Sequence, residues 1–248
     1  MNDEMTAVGP EDEFSFHCSP DNPCFNECCR DLNQFLTPYD ILRLKNNLKM
    51  ASSEFLRKYT SMHKGPETGL PVLTFKPDPA SGHACPFVTE NGCSVYPDRP
   101  GSCRLFPLAR AISRSRETGK TTEHYALIRD PGCKGFGKAR GRKVKDWIAS
   151  QEVESHNQMN DRMMEIISLK NTLMPGKLEG PSADAFYLAC YDLDGFRKEV
   201  FEKDLLKGIP SADDMLEKAR ENETELLNLG FEWIKYHLFG KQIEPTPN

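Results

Sequence analysis

The chain has 248 residues, of which 38% are hydrophobic, and a formal net charge of -5. A chain of this length can bury a hydrophobic core without covalent staples, so its stability does not require disulfides. Charges interrupt every hydrophobic run well short of the roughly 20 apolar residues of a membrane span, and the first thirty residues lack a secretory signal, so we expect a cytoplasmic protein. The first predicted element is a disordered acidic tail over residues 1–13, which hold five acids and no base.

The segment from residue 14 to residue 76 predicts a ligand loop followed by two helices and a strand. Cysteines stand among Ser, Pro, Asp and Asn up to Arg30, and these residue types favour loops. Thr37 and Pro38 supply an N-cap and a first helical residue, so a helix should run to about Lys49. The other predicted elements are a helix from Ser52 or Ser53 to about Met62 and a strand at Pro71–Phe75.

The rest of the chain predicts a second ligand loop, a hairpin and a series of helices. Residues 85–103 hold three cysteines among turn residues. Hydrophobic residues recur at helical spacing from Val144 onward. The predicted elements are hairpin strands at Leu108–Arg114 and Thr122–Arg129, a turn at Met174–Ser182, and helices at about Ala183–Lys203, with a break near Asp194–Gly195, and at about Ala212–Leu238.

These elements predict an α+β fold, with a small, irregular, cysteine-rich core of short strands and a hairpin, followed by a helical C-terminal extension. The predicted division is a cysteine-cluster metal-binding domain at 14–151, a helical extension at 152–240 and a loose tail at 241–248.

Eight of the nine cysteines lie in the first 133 residues, and this clustering is the strongest feature of the sequence. Clustered thiolates are reactive and repel one another unless they form disulfides or bind metal. In a reducing cytosol the second role is the more common one. We therefore predict metal ligands among Cys18, Cys24, Cys28, Cys29, Cys85, Cys93, Cys103 and Cys133.

The spacing of these cysteines leaves the metal and the number of centres open. Neither the CxxC pairs of a zinc ribbon nor the cysteine run of a bacterial ferredoxin occurs. Eight thiols suffice for two four-ligand sites, or for one cluster with reserve thiols. The vicinal Cys28 and Cys29 can serve different centres, because neighbouring side chains of an extended chain point to opposite sides. Cys190 lies in an apolar run and is predicted to be a buried core residue.

Several residues beside the cysteines are candidates for supporting roles. His17 and His83 can act as ligands or as hydrogen-bond donors to a ligand. The glycines around Cys133 allow close backbone approach and supply amide donors to sulfur. Arg104 lies between apolar residues, where its charge would offset that of the thiolates. We interpret Arg30 and Arg99 as surface residues that form ion pairs.

A basic region extends over residues 104–145, where twelve Lys or Arg face three acids. Such a region inside an acidic protein can bind an acidic protein or another anionic partner. The simpler interpretation, which we put first, is a solvated hairpin and helix start. Aromatic residues do not alternate with the bases as nucleic-acid binding favours, so we do not expect a nucleic-acid partner.

Seven segments together resemble the bacterial YkgJ-type cysteine-cluster family, described as a zinc- or iron-chelating domain and related to flagellin lysine N-methylase. They are Phe16-x-Cys18, Cys24-Phe25-Asn26-Glu27-Cys28-Cys29, Leu36 to Leu44, Cys85-Pro86-Phe87, Gly92 to Pro100, Cys103-Arg104-Leu105-Phe106-Pro107 and Gly132-Cys133. The resemblance covers about Phe14 to Gln151. It implies that the clustered cysteines from Cys24 onward fall on family cysteines. The opening of the motif is longer here than the usual C-x2-C-x2-C-C.

We predict an iron-sulfur cluster, preferably [4Fe-4S], as the bound metal centre, with zinc as the alternative. Through flagellin methylase the resemblance also implies an enzymatic alternative, in which an iron-sulfur protein transfers methyl from S-adenosylmethionine to protein lysines. The segment from Tyr191 to Arg197 is similar to one in the helical part of such proteins. No S-adenosylmethionine site is recognisable in the sequence, because a glycine-rich strand-to-helix turn and a radical-type C-x3-C-x2-C are both missing.

Overall fold

The structure is a computed structural model that describes residues 4–30, 34–76, 79–114, 121–209 and 213–243. The chain divides into two compact units, the first formed by residues 1–32 and 77–158 and the second by residues 33–76 and 159–248. The segment 33–76 lies in the second unit, whereas the sequence interpretation assigned it to the cysteine domain. The turn of the predicted hairpin and the last part of the predicted C-terminal tail lie outside the described residues.

Short antiparallel sheets and helices make up both units, which confirms the predicted α+β class. The strands are β1 Glu4–Val8, β2 Glu13–Phe14, β3 Phe35–Leu36, β4 Thr60–Lys64, β5 Pro71–Phe75, β6 Val88–Thr89, β7 Gly92–Cys93, β8 Leu108–Arg114, β9 Thr121–Arg129 and β10 Arg142–Lys143. The helices are α1 Pro38–Asn47, α2 Ser52–Tyr59, α3 Gly101–Leu105, α4 Val144–Ser150, α5 Glu154–Leu173, α6 Gly180–Cys190, α7 Leu193–Glu202, α8 Asp213–Glu221 and α9 Glu223–Phe239. Within the described ranges, no helix is long and apolar enough to cross a membrane.

A three-stranded sheet in the order β1-β9-β8 forms one side of the first unit. The pairing of β8 with β9 confirms the predicted hairpin. Beneath these strands lies an apolar core made by Phe14, Leu105, Leu108, Leu127, Val144 and Val153. The half-buried Phe16 and Trp147 pack against this core with their ring centroids 5.6 Å apart.

The prediction of a disordered tail over residues 1–13 is wrong for the part that the structure describes. Glu4–Val8 pairs along its whole length with β9. The carboxylate of Glu11 binds Lys143 at 2.8 Å and Lys145 at 2.5 Å. These hydrogen bonds lower the pKa of Glu11 to about 2. Glu11 is therefore paired with bases more than 130 residues away, which local composition does not indicate.

Helix α1 begins as predicted, because Thr37 and Asp40 form a capping box around its first turn. Helix α2 ends at Tyr59, however, and not at the predicted Met62. Residues 60–64 instead form β4, which pairs with the predicted strand β5. The backbone groups of an unpaired β5 edge would lack partners, and pairing with β4 satisfies them.

Polar contacts tie the 33–76 segment to the helices of the second unit. The buried ammonium of Lys45 lies 2.7 Å from a carboxylate oxygen of Glu223. The Ser52 hydroxyl donates to Asp192 at 2.6 Å, and its backbone N–H donates to Asp194 at 2.6 Å. Because these partners are 140 or more residues apart, the sequence did not predict their association.

N-terminal caps decide where two of the C-terminal helices begin. Asn222 accepts hydrogen bonds from the N–H groups of Thr224 and Glu225, which begins α9 and splits the predicted 212–238 helix in two. Asp192 caps α7 by accepting a hydrogen bond from the Gly195 N–H, so the break in the predicted 183–203 helix falls just before Leu193, close to the predicted position near Asp194–Gly195. Helix α9 then packs on α1, α6, α7 and α8.

Candidate metal centre

All eight clustered cysteines lie in the first unit, on loops and short elements at residues 18–29, 85–103 and 133. The nine cysteines all fall within the described residues, and none of them forms a disulfide. Cys190 lies in α6 of the second unit and is fully buried, as predicted, and burial raises the pKa of its thiol. The clustered thiols are therefore available as ligands, whereas Cys190 is a core residue.

Backbone contacts bring the loop around Cys133 onto the first cysteine loop. The Lys134 N–H donates to the sulfur of Cys24 at 3.1 Å. The His17 N–H donates to the carbonyl of Gly135 at 2.9 Å. A Cβ at residue 135 would lie 2.8 Å from the His17 carbonyl oxygen, closer than real Cβ contacts. The close approach predicted for the glycines around Cys133 is therefore confirmed at Gly135.

We call Cys18, Cys24, Cys28 and Cys133 the first thiol group, because they lie close enough for their charges to interact. Burial raises the pKa of Cys18, and the charges of the other three members raise it further. Burial also raises the pKa of Cys133, which the Gly135 N–H opposes and the charges of Cys24 and Cys28 reinforce. Neighbouring thiolates in this group are thus electrostatically unfavourable without a bound cation.

We call Cys29, Cys85, Cys93 and Cys103 the second thiol group. The Cys85 N–H donates to the carbonyl of Cys29 at 2.7 Å, and the β6-β7 hairpin places Cys93 opposite Val88. Burial raises the pKa of Cys85, and the charge of Cys93 adds to this rise. A hydrogen bond with Cys28 and burial raise the pKa of Cys29, and the charges of Cys28, Cys85 and Cys103 add to this rise.

The vicinal cysteines join the two groups. Both lie in a short 3-10 turn at Glu27–Cys29. A hydrogen bond from the Cys29 thiol to the Cys28 sulfur lowers the pKa of Cys28 to about 7 and raises that of Cys29. Cys28 interacts with the first group and Cys29 with the second.

Backbone N–H groups donate to three of the sulfur atoms in the same way. Burial raises the pKa values of Cys85, Cys93 and Cys133, and the N–H groups of Phe87, Val95 and Gly135 respectively oppose this rise. In each pair the donor lies two residues after the cysteine, so the chain turns back over the sulfur. Such donors stabilise thiolates and orient metal-bound sulfur. The sequence indicated these donors only at Cys133, because glycine marks that turn.

Two residues near the thiols were not assigned a site role from the sequence. The Arg99 guanidinium lies 3.8 Å from the Tyr96 ring centroid, and its charge lowers the pKa of Cys93 against the effect of burial. Asn22 is buried, and its amide donates to the His17 carbonyl at 2.7 Å. The turn sequence Pro20-Asp21-Asn22-Pro23 is the signal that could have indicated Asn22.

The other candidates from the sequence have backbone or ion-pair contacts. Arg104 is buried and donates to the carbonyls of Gln151, at 2.9 Å, and Pro97. Arg30 forms an exposed ion pair with Glu27 at 3.5 Å. His17 and His83 are both exposed.

The chemistry of the donor set fits a soft metal centre. Thiolate ligands favour zinc, copper(I) and iron-sulfur clusters over hard cations. In the described part of the chain, no group of three or more His, Cys, Asp or Glu side chains is arranged to hold a metal ion. Metal binding therefore has to draw the sulfur atoms inward from the positions described here.

Comparison with known proteins indicates the same part of the chain. Residues 17–134 match the model of the CxxCxxCC family, whose description is "Putative zinc- or iron-chelating domain". No curated protein and no solved structure matches the chain. The matched range includes all eight clustered cysteines and excludes Cys190, so the match supports metal binding by this part of the chain.

Proposed function

We propose that the chain is a metal-binding protein that holds an iron-sulfur cluster, preferably [4Fe-4S], through its clustered cysteines. The observation that carries this proposal is the gathering of eight cysteines that form no disulfide in one unit, with backbone N–H donors directed at the sulfur atoms of Cys24, Cys85, Cys93 and Cys133. Thiolates hold such clusters, and hydrogen bonds to sulfur help to set their reduction potentials. Zinc is the alternative, because all-thiolate sites also hold structural zinc.

Purification without oxygen, followed by absorption spectroscopy and analysis for iron, sulfide and zinc, distinguishes the two metals. We expect iron and sulfide in similar amounts and a broad charge-transfer absorption. A colourless protein that contains zinc would contradict the iron-sulfur cluster and support the zinc alternative. A folded, fully reduced protein that binds neither metal would contradict metal binding itself.

The lysine N-methylase alternative rests on the sequence resemblance alone. It requires S-adenosylmethionine, so calorimetric titration of the metal-loaded protein with this compound tests it directly. We expect no binding at millimolar concentration if the protein is a metal-binding module without this activity. Saturable binding would favour the enzyme.

The basic region supports a second proposed role, the docking of an acidic protein. Of its twelve bases, Arg104 is buried, Arg110 pairs with Glu123, and Lys143 and Lys145 pair with Glu11. Three more lie in or beside the undescribed turn of the hairpin. The remaining five are exposed and form no ion pair with any described carboxylate. These five, which we call the basic loop, are Arg129, Lys134, Lys138, Arg140 and Arg142.

An acidic protein suits this loop better than single-stranded nucleic acid does. Bases of nucleic acids stack on exposed aromatic rings. The Arg129 guanidinium lies 5.1 Å from the Phe136 ring centroid, and that of Arg142 lies 5.9 Å from the Trp147 centroid. Both rings are half-buried, and the two cations cover them. What the loop offers a partner is therefore positive charge, which favours exposed carboxylates.

Replacing Arg140 with glutamate is expected to weaken binding to poly-L-glutamate on the order of tenfold at low salt, because it reverses one exposed charge of the loop. Arg140 is exposed, so the change should leave the fold intact. Fluorescence anisotropy at two salt concentrations measures the effect. The matched control is Lys218→Glu, which makes the same charge change on α8 of the second unit. Equal losses in both variants, or stronger binding to single-stranded DNA of equal charge, would contradict docking of an acidic protein at this loop.

A further inference from the structure

The segment 129–142 carries the basic loop, and we call it the basic segment. It lies against the first cysteine loop, because Phe16 and Phe136 form an antiparallel bridge between the two. The His17 N–H also donates to the carbonyl of Gly135 at 2.9 Å. This backbone pairing lies immediately before the first cysteine of the chain, so it fixes that cysteine beside the bases.

Two bases of the basic segment also contact the loop that follows Cys18. The Lys138 ammonium donates to the side-chain oxygen of Asn22 at 3.0 Å. The Lys134 N–H donates to the sulfur of Cys24 at 3.1 Å. Cys18 is exposed. Its thiol therefore lies in a stretch of chain that the basic segment contacts on both sides.

A second thiol lies within the basic segment itself. Cys133 is half-buried and stands directly before the exposed Lys134. The segment holds five bases and a single acid, an excess of four positive charges. That acid, Asp130, accepts a hydrogen bond from the Gly132 N–H at 2.7 Å. Both thiols therefore lie beside positive charge that favours the carboxylates of a partner.

The size of a protein interface brings the two thiols within reach of a partner bound there. A specific interface covers about 800 Å² of each protein, so it extends on the order of 16 Å from its centre. Asn22, which Lys138 contacts, is four residues after Cys18, so the Cα atoms of these two residues are at most about 15 Å apart. Cys133 is the direct neighbour of Lys134. A partner centred on the two lysines therefore covers both cysteines.

We propose that an acidic protein docked on the basic loop covers the thiols of Cys18 and Cys133 and so controls access to them. The inference rests on the proposed docking of an acidic protein and adds the consequence of that docking for the cysteines. Exposed thiols of a cysteine cluster are open to oxidation. The bound partner therefore protects this part of the candidate metal centre, and its departure opens it.

Alkylation with N-ethylmaleimide measures access to each thiol, and this neutral reagent is not itself attracted by the basic loop. Mass spectrometry of peptides from the reduced full-length protein, purified without oxygen, gives the rate at each cysteine with and without poly-L-glutamate. At a polymer concentration about ten times its Kd, we expect the rates at Cys18 and Cys133 to fall on the order of tenfold, because only about one protein in ten is then unbound.

Cys93 is the internal control, because it is half-buried like Cys133 and lies in β7, outside both paired segments. It should react at nearly its original rate. Arg140→Glu should raise the polymer concentration for half-maximal protection by the same factor as the Kd, and Lys218→Glu should leave it unchanged. Free glutamate at the same residue concentration should not protect, because it supplies charge without a chain that covers the thiols.

The outcomes separate this inference from the proposed docking. Binding of poly-L-glutamate with unchanged rates at Cys18 and Cys133 would overturn the inference and leave the docking intact. No binding would overturn both. Equal slowing of Cys93, or equal protection by free glutamate, would also overturn the inference, because a general effect of charge on thiol reactivity would then explain the result. The comparison of thiols within the unaltered chain does not depend on either variant.

Discussion

Replacing Cys133 with serine is expected to strip metal from the protein and to destabilise the first unit by several kcal/mol. Binding of a structural metal supplies folding free energy on the order of 10 kcal/mol in small thiolate sites. Cys133 lies at the turn where the Gly135 N–H donates to its sulfur and the next residue binds Cys24. A hydroxyl does not replace a thiolate as a ligand of soft metals.

Metal analysis and thermal unfolding of the purified variant measure this effect. Cys190→Ser is the matched control, because it makes the same chemical change in α6 at a fully buried position. It should lower stability by about 1–3 kcal/mol through burial of a hydroxyl and leave the metal content unchanged. Full metal content in Cys133→Ser would show that Cys133 is not a ligand. Metal loss in Cys190→Ser would contradict its assignment to the core.

Replacing Phe186 with alanine is expected to lower the free energy of unfolding of the second unit by about 3–5 kcal/mol. The ring is fully buried in α6 and packs edge-on against Tyr191, with the centroids 6.1 Å apart. Helix α6 in turn packs on α9, so the cavity would open in the centre of the helical core. Metal content should not change, because the thiols of both groups lie in the first unit.

Urea denaturation followed by circular dichroism measures the change in stability. Phe35→Ala is the matched control: it removes the same ring from β3 of the same unit, at a position that is 51% exposed. That variant should differ from the unaltered chain by less than about 1 kcal/mol. Equal losses in the two variants would contradict the burial of Phe186 as the source of the effect.

Much of the local structure was predictable because its causes lie within a few residues. The Thr37 to Asp40 capping box starts α1. Short runs rich in hydrophobic residues next to turn residues mark β5 and the β8-β9 hairpin. Loop-forming residues around the cysteines indicated where thiols would be presented. The errors fell where a distant partner decides the outcome, as at β1, which pairs with β9, and at β4, which pairs with β5.

The ligand types of the candidate site could be predicted from the sequence, but the spatial grouping of its cysteines could not. The eight thiols, the exclusion of Cys190 and the glycine beside Cys133 could be read from residue types and spacing. The division into two groups could not, because it depends on contacts such as that between Lys134 and Cys24, which are 110 residues apart. The five bases of the basic loop, which form no ion pair within the described ranges, could not be distinguished from the other bases of the region either. Two of those others, Lys143 and Lys145, pair with Glu11, which lies more than 130 residues earlier in the chain.

The amino-acid sequence alone therefore determined the kind of ligand atoms, their loops and most of the helices, because side-chain chemistry and short-range hydrogen bonding are properties of neighbouring residues. Tertiary structure alone decided that residues 33–76 join the helical unit, that Cys28 and Cys29 have different neighbours, and which cations stay exposed. These depend on which distant segments pack together. Burial and pairing between segments that are far apart in the chain select that packing, and local sequence patterns do not indicate it.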